Sequence, residues 1–391
     1  MNTRLVIEVA MIGLRRLWHG KLELLLTFVV PVAFFTIFAL IFTGGVGSGR
    51  AAKIKTLLTD LDGSERSKDV MSRLADSEAI RVVEGRNAAG PDALDVARDT
   101  VVRGQATVAI VAPEGWGDSL RTGTPGKLFV LADSSDQVGP KVMTALVQET
   151  LGKTLAPPRP AGAPPGMAPN TPAAAKPPPV EVIDLFTAGK ANPTISMYAA
   201  GIAVMFLLFS ATGSAGSLLE EEENQTLERL LASRLGMTHV LLGKWLQLWL
   251  VGVGQVVVMF AWAQLVFELN VVRRWDGFVL LTLATAAAAA ALALALAAAC
   301  RTRAQLNAVS VILVLTMSAL GGSMVPRYIM SDTMQQLGRV TFNAWAIDGY
   351  TKLFWRDLPT QELWPELAVM TASAAVLLIA ARVLAMRWET A

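Results

Sequence analysis

Six stretches of this chain are too long and too apolar for a water-soluble fold. They are 22–43, 194–218, 245–267, 277–300, 306–325 and 366–386, interrupted by charge only at Glu23, Glu366 and Arg382. At 1.5 Å per residue the first reaches about 33 Å, enough to cross the hydrocarbon core of a bilayer. Within that core every backbone amide must find its partner inside the segment, so such runs are expected to be membrane-spanning α-helices. Composition agrees, with 53% apolar residues and a mean hydropathy of +0.46. The expected fold is an α-helical membrane protein of six spans with an α/β domain inserted after the first.

Residues 1–21 carry Arg4, Glu8, Arg15, Arg16 and Lys21 among Leu5, Val9, Ile12 and Trp18 at helical spacing. This predicts an amphipathic helix in the interface plane, anchored by Trp18. A cleaved signal peptide is the alternative, but the apolar run is too long and its basic head lies too far inside the chain. Basic residues before span one place the N-terminus in the cytoplasm, and six spans bring the C-terminus back to the same side. Pro31 falls within span one, where it can kink the helix. Residues 44–155 alternate strand-like and helix-like segments, an α/β domain on the outer side. Strands are expected at 53–58, 79–83, 106–112 and 127–131, and helices at 64–74, 91–103 and 137–155. Residues 156–193 form a Pro/Ala-rich tether and return segment; ten of the chain's nineteen prolines lie in 156–180, which suits an extended spacer. Small residues over 210–217 read as helix-packing positions. Residues 326–365, with Trp345, Phe354, Trp355 and Trp364, read as short helices at the outer interface or dipping into the membrane.

Several chemistries are excluded or reduced to structural explanations. One cysteine, Cys300, permits no internal disulfide, and His19 and His239 make no zinc motif. The net charge of +2 gives no ground for nucleic-acid binding. Asp60-Leu61-Asp62 and Asp133-Ser134-Ser135-Asp136 can hold a cation but fit turns at strand ends. No P-loop is spelled: Gly123-Thr124-Pro125-Gly126-Lys127 and Gly236 to Lys244 lack the spacing and the following Ser or Thr. Gln247, Gln255 and Gln264 fall on different helix faces and form no single polar lane.

The most charged link between two spans is 219–244. Leu227, Leu230, Leu231 and Leu235 make one apolar stripe of a short helix, with Glu228, Arg229 and Arg234 off it. Gly236 suits a helix stop and Thr238 an N-cap for the next helix. A solvated loop, a membrane-surface helix and a docking helix for a soluble partner all fit. Four consecutive glutamates argue against anionic lipid as that partner.

The order Glu221, Glu223, Thr226-Leu227-Glu228, Leu230-Leu231 and Gly243-Lys244 resembles the cytoplasmic signature of ABC type-2 export permeases. Two positions depart from it: Gln225 stands where the family usually has Gly, and Arg234 where Pro is common. Asp184-Leu185-Phe186, Asn192, Tyr198 and Gly201 also fit what the family shows before its second span. The resemblance implies the permease subunit of an ATP-driven exporter, without an ATPase site of its own, acting in an inner membrane. It implies that the nine signature residues couple to a cytoplasmic ABC ATPase, on which ATP and Mg are bound. It also implies a second permease subunit, identical or similar, and allows a periplasmic adaptor. Charge-poor spans with an aromatic outer rim suit a hydrophobic or amphipathic drug or lipid. A secondary transporter is the first rival, yet the span centres lack the ionisable residues it uses. A membrane-tethered sensor needs fewer spans, and an intramembrane hydrolase needs a catalytic set that the spans lack.

Overall fold

The computed structural model describes residues 3–42, 54–83, 93–122, 126–132, 139–155, 180–184, 193–232, 236–325, 327 and 330–388. It divides into two compact units, Gly45–Lys190 and the remainder, Met1–Gly44 with Ala191–Ala391. The prolines of 156–179, the acidic corner at 133–136 and Leu235 lie outside the described residues.

The larger unit begins with α1 (Thr3–His19), which ends at Gly20. Then α2 (Lys21–Leu24) runs through a π turn at Leu25–Val29 into α3 (Val30–Phe42). Pro31 has no N–H and crowds the carbonyl four residues back, at Thr27; the widened turn around Thr27 carries the helix past it unbroken.

The inserted unit follows as β1 (Ile54–Asp60), α4 (Glu65–Ala75), β2 (Ile80–Val82), α5 (Ala93–Val102) and β3 (Val108–Ala112). It continues with α6 (Trp116–Thr122), β4 (Leu128–Ala132), α7 (Gly139–Leu155) and β5 (Val180–Asp184). The sheet order is β2-β1-β3-β4-β5, with only β3 and β4 antiparallel. Every residue of β3 is buried, as a continuous apolar run flanked by two strands should be. β5 lies in the expected return segment: Val180-Glu181-Val182 follows the proline tract and pairs in parallel with Leu128–Val130. Lys127 and Glu181 form an exposed ion pair, 2.9 Å apart, beside that ladder. Asp60 and Asp62 serve a turn. Asp60 Oδ1 accepts from the amides of Asp62 and Gly63, and Asp62 Oδ2 from that of Gly117.

The chain returns as α8 (Pro193–Glu223), α9 (Thr226–Ala232), α10 (Met237–Phe267), α11 (Trp275–Ala299) and α12 (Arg303–Gly321). Two short helices, α13 (Asp332–Gly338) and α14 (Phe342–Tyr350), precede α15 (Trp364–Leu384). Six segments are long and apolar enough to cross a membrane: Lys21–Leu40, Tyr198–Glu223, Met237–Phe267, Val272–Ala299, Arg303–Gly321 and Thr360–Trp388. The alanine-rich α11 sits among α8, α10 and α15, because small side chains let helix backbones approach closely. Its carbonyls at Ala287 and Leu283 accept from the indoles of Trp245 and Trp249 at 3.1 and 2.9 Å.

Over 326–365 the described residues form the expected short helices, and several of their aromatic side chains pack into the bundle. Tyr350 and Trp355 are wholly buried, and Phe342, Ile347 and Phe354 join Phe260 and Phe278 in the core. Tyr350 Oη lies 3.0 Å from Thr282 Oγ1. Trp364 alone of the tryptophans there stays largely exposed. Basic residues between the later helices are paired: Arg273 and Arg274 share Asp357, Arg327 pairs with Asp348 and Lys352 with Glu366.

Candidate functional site: the charged knot beneath α8

α8 continues past the expected end of its span to Glu223, so four glutamates occupy the last turn of a helix. Carboxylates there face the negative end of the helix dipole and one another, and cations must be gathered around them. Arg16 of α1 reaches Glu220 at 2.8 Å, and Arg303 of α12 approaches the same oxygen at 3.5 Å. The Glu220 hydrogen bond holds the Arg16 guanidinium above its usual basicity. Lys244 of α10, only 8% exposed, forms a close ion pair with Glu221 and donates to Ser217 Oγ at 3.3 Å.

The turn after α8 depends on Gln225, whose φ is +56°. Its amide donates to the Glu222 carbonyl, and Thr226 Oγ1 donates to that of Glu221 at 3.0 Å. Glycine adopts this left-handed backbone without strain, and glutamine does so at a cost. α9 then turns inward rather than offering its whole stripe outward. Leu227 is 2% exposed within the chain's own core, Leu231 packs against that core and Leu230 is half-buried. What α9 shows to solvent is Thr226, Glu228 and Arg229, next to exposed Glu223, Asn224 and Gln225. The next helix starts earlier than expected, at Met237 with Gly236 as its N-cap. Thr238 accepts from Arg382 of α15 at 3.0 Å instead of capping.

Gly243 and Lys244 act on different neighbours. A Cβ at Gly243 would lie 2.5 Å from Val9 Cβ and 3.0 Å from the Val6 carbonyl, so glycine is what lets α1 cross α10 here. One turn on, a Cβ at Gly13 would strike Gln247 Oε1 at 1.8 Å. α1 therefore buries Ala10, Gly13 and Leu17 against protein while Trp18 stays exposed. The structure thus pairs Glu221 with Lys244, sets Gly243 against α1 beside them, buries Leu227, and leaves Glu223, Thr226 and Glu228 on the surface. Arg16, Arg303, Ser217 and Gly13 escaped sequence reasoning. The one available signal was the four-glutamate run itself, which requires cations from elsewhere.

Beside the knot, between α1, the α2–α3 helix, α8 and α10, lies a cavity of about 600 Å³. Its walls are largely apolar, with Val30, Phe206, Phe209 and Val251, and the ion pairs close one end. Among the described residues no group of three or more His, Cys, Asp or Glu is placed to hold a metal.

A family model described as "ABC-2 family transporter protein" matches residues 21–383. No curated protein sequence matches the chain.

Proposed function

The chain belongs to the ABC-2 transporter family, and from that premise we propose that it is the membrane subunit of an exporter powered by a separate ABC ATPase. ATP and Mg bind on that partner, and two permease subunits, identical or similar, frame the route. The exported substrate is a small hydrophobic or amphipathic molecule of the drug or lipid type. The complex sits in a bacterial inner membrane with both ends of this chain cytoplasmic and residues 44–193 on the far side.

The observation that carries this reading is how α9 is held. It links two helices long enough to span, and Leu227 together with the Glu221–Lys244 pair roots it in the bundle. A surface so rooted transmits a push to both helices as a rigid body. Glu228, with Glu223 beside it, is the contact offered to the ATPase, and Leu230 and Leu231 contribute their half-buried edges. Leu227, Thr226, Glu221, Gly243 and Lys244 act by positioning that contact.

Co-expression with the ATPase tests the assignment. The isolated chain should bind no ATP, and the ATPase should co-purify with it. Glu228→Arg should weaken co-purification in a salt-sensitive way and uncouple ATP hydrolysis from substrate, with the membrane unit's thermal midpoint unchanged. Stoichiometric ATP binding by the isolated chain would defeat the reading. Wild-type coupling in a Glu223→Arg, Glu228→Arg double variant would remove α9 from it.

A further inference from the structure

The cavity beside the knot has one ionic end and apolar walls. Val30, Phe206, Phe209 and Val251 belong to three segments long enough to cross a membrane. Three cations and three carboxylates also line it: Arg16, Lys244, Arg303, Glu23, Glu220 and Glu221. Glu23 lies at the start of the first long apolar segment, Glu220 and Glu221 at the end of the second, and Arg303 at the start of α12. The charges therefore sit at the boundary of the apolar layer, and the walls run from them into it. An amphiphile standing in one leaflet has its parts in the same order.

These charges are unevenly matched. Lys244 is engaged by Glu221 and Ser217. Arg16 and Arg303 both turn to one oxygen, Glu220 Oε2, at 2.8 and 3.5 Å, and each side chain stays 49% exposed. A guanidinium carries several N–H donors, so two of them on one carboxylate leave donors over. Glu23 shows the converse: it is exposed, lines the cavity and makes no ion pair among the described residues. A Cβ at Gly20 would lie 3.3 Å from Glu23 Oε2, which puts this carboxylate at the corner between α1 and α2, where its charge acts on Arg16. Spare donors and a spare carboxylate thus stand together at the mouth of an apolar cavity.

An anion would answer only the donors, and a cation only Glu23. From this juxtaposition we propose that the cavity binds a zwitterionic phospholipid. Its phosphate accepts from Arg16 and Arg303, its ammonium donates to Glu23, and one acyl chain lies along Phe206, Phe209 and Val251. Hydrogen bonds between ionised groups are the strong ones, and guanidinium suits phosphate. The volume, about 600 Å³, falls within the roughly 300–1,000 Å³ usual for ligand cavities. Binding of this kind needs neither ATPase nor transport, so it goes beyond the exporter reading and either can fail without the other.

Calorimetry on the full chain in dodecyl maltoside, corrected with empty micelles, compares three probes of one chain length: dodecanoyl lysophosphatidylethanolamine, dodecyl phosphate and dodecylamine. The zwitterion should bind at least about tenfold more tightly than either singly charged probe, the effect of one charge-assisted hydrogen bond. Glu23→Gln should erase its advantage over dodecyl phosphate and, with no ion pair to break, keep the thermal midpoint. Arg303→Gln should reduce its advantage over dodecylamine. Gly213 lines the cavity, and a Cβ there meets nothing within 4 Å. Gly213→Leu should therefore fill the space, keep the thermal midpoint and abolish binding of all three probes. A zwitterion bound no more tightly than either singly charged probe overturns the proposal, as does a full preference for it in Glu23→Gln. Binding that survives Gly213→Leu does the same, since it would place the probe in the micelle.

Discussion

At Gln225 a side chain stands in a backbone conformation that L residues adopt at a cost of about 1–3 kcal/mol. Gln225→Gly should raise the stability of the membrane unit by about 1 kcal/mol, and Gln225→Val should lower it, read from thermal midpoints in detergent. Lys244 and Glu221 test the knot in another way. Removing one partner of a fully buried pair costs about 3–5 kcal/mol. Here the Glu221 side chain is still 20% exposed, so Lys244→Met alone should cost less, about 1–3 kcal/mol. Adding Glu221→Leu should restore part of that loss, because no carboxylate is then left unpaired. A double variant as unstable as the sum of the two singles would show that the pair is not coupled.

At the scale of elements, α9 has an inner face and an outer face, and they should respond differently. Leu227→Ala opens a hole under the helix and should cost about 2–4 kcal/mol. Glu228→Ala, on the exposed face, should stay within about 0.5 kcal/mol of wild type. The crossing of α1 and α10 gives a second comparison. Gly243→Val drives a branched side chain into Val9 and the Val6 carbonyl. It should lift α1, break the Arg16–Glu220 contact and expose the α1–α10 seam to proteolysis. Gly254, where a Cβ would come no closer than 3.7 Å to the Phe28 ring, is the control on the same helix: Gly254→Ala should leave the cleavage pattern unchanged.

For the whole molecule the proposed topology puts the inserted unit outside and α9 in the cytoplasm. In a Cys300→Ala background, single cysteines at Glu149 of α7 and Glu228 of α9 are both exposed within their own units. An impermeant maleimide added to intact spheroplasts should label position 149 and spare 228. The opposite pattern would invert the topology and place the glutamate knot outside, where no ATPase could reach it.

The apolar runs were sufficient to give six helices long and apolar enough to cross a membrane, because backbone satisfaction in hydrocarbon admits little else, while the family came from the resemblance carried by residues 221–244. Most strands and helices of the inserted unit followed from local alternation as well. β5 did not, since an edge strand after a proline tract is defined by its partner β4, a non-local pairing. The packing of 326–365 was equally hidden: aromatic side chains suit many neighbours, and only the tertiary fold set Phe342, Tyr350 and Phe354 against Phe260 and Phe278. The signature residues could be read from the sequence as a list, but not their division of labour. Leu227 and Leu230 share a stripe by periodicity, yet one is buried in the bundle and the other edges a cavity. Arg16 lies 204 positions from Glu220, and no local pattern joins them. Four carboxylates at a helix end made counter-charges necessary, and the tertiary fold decided which cations supplied them.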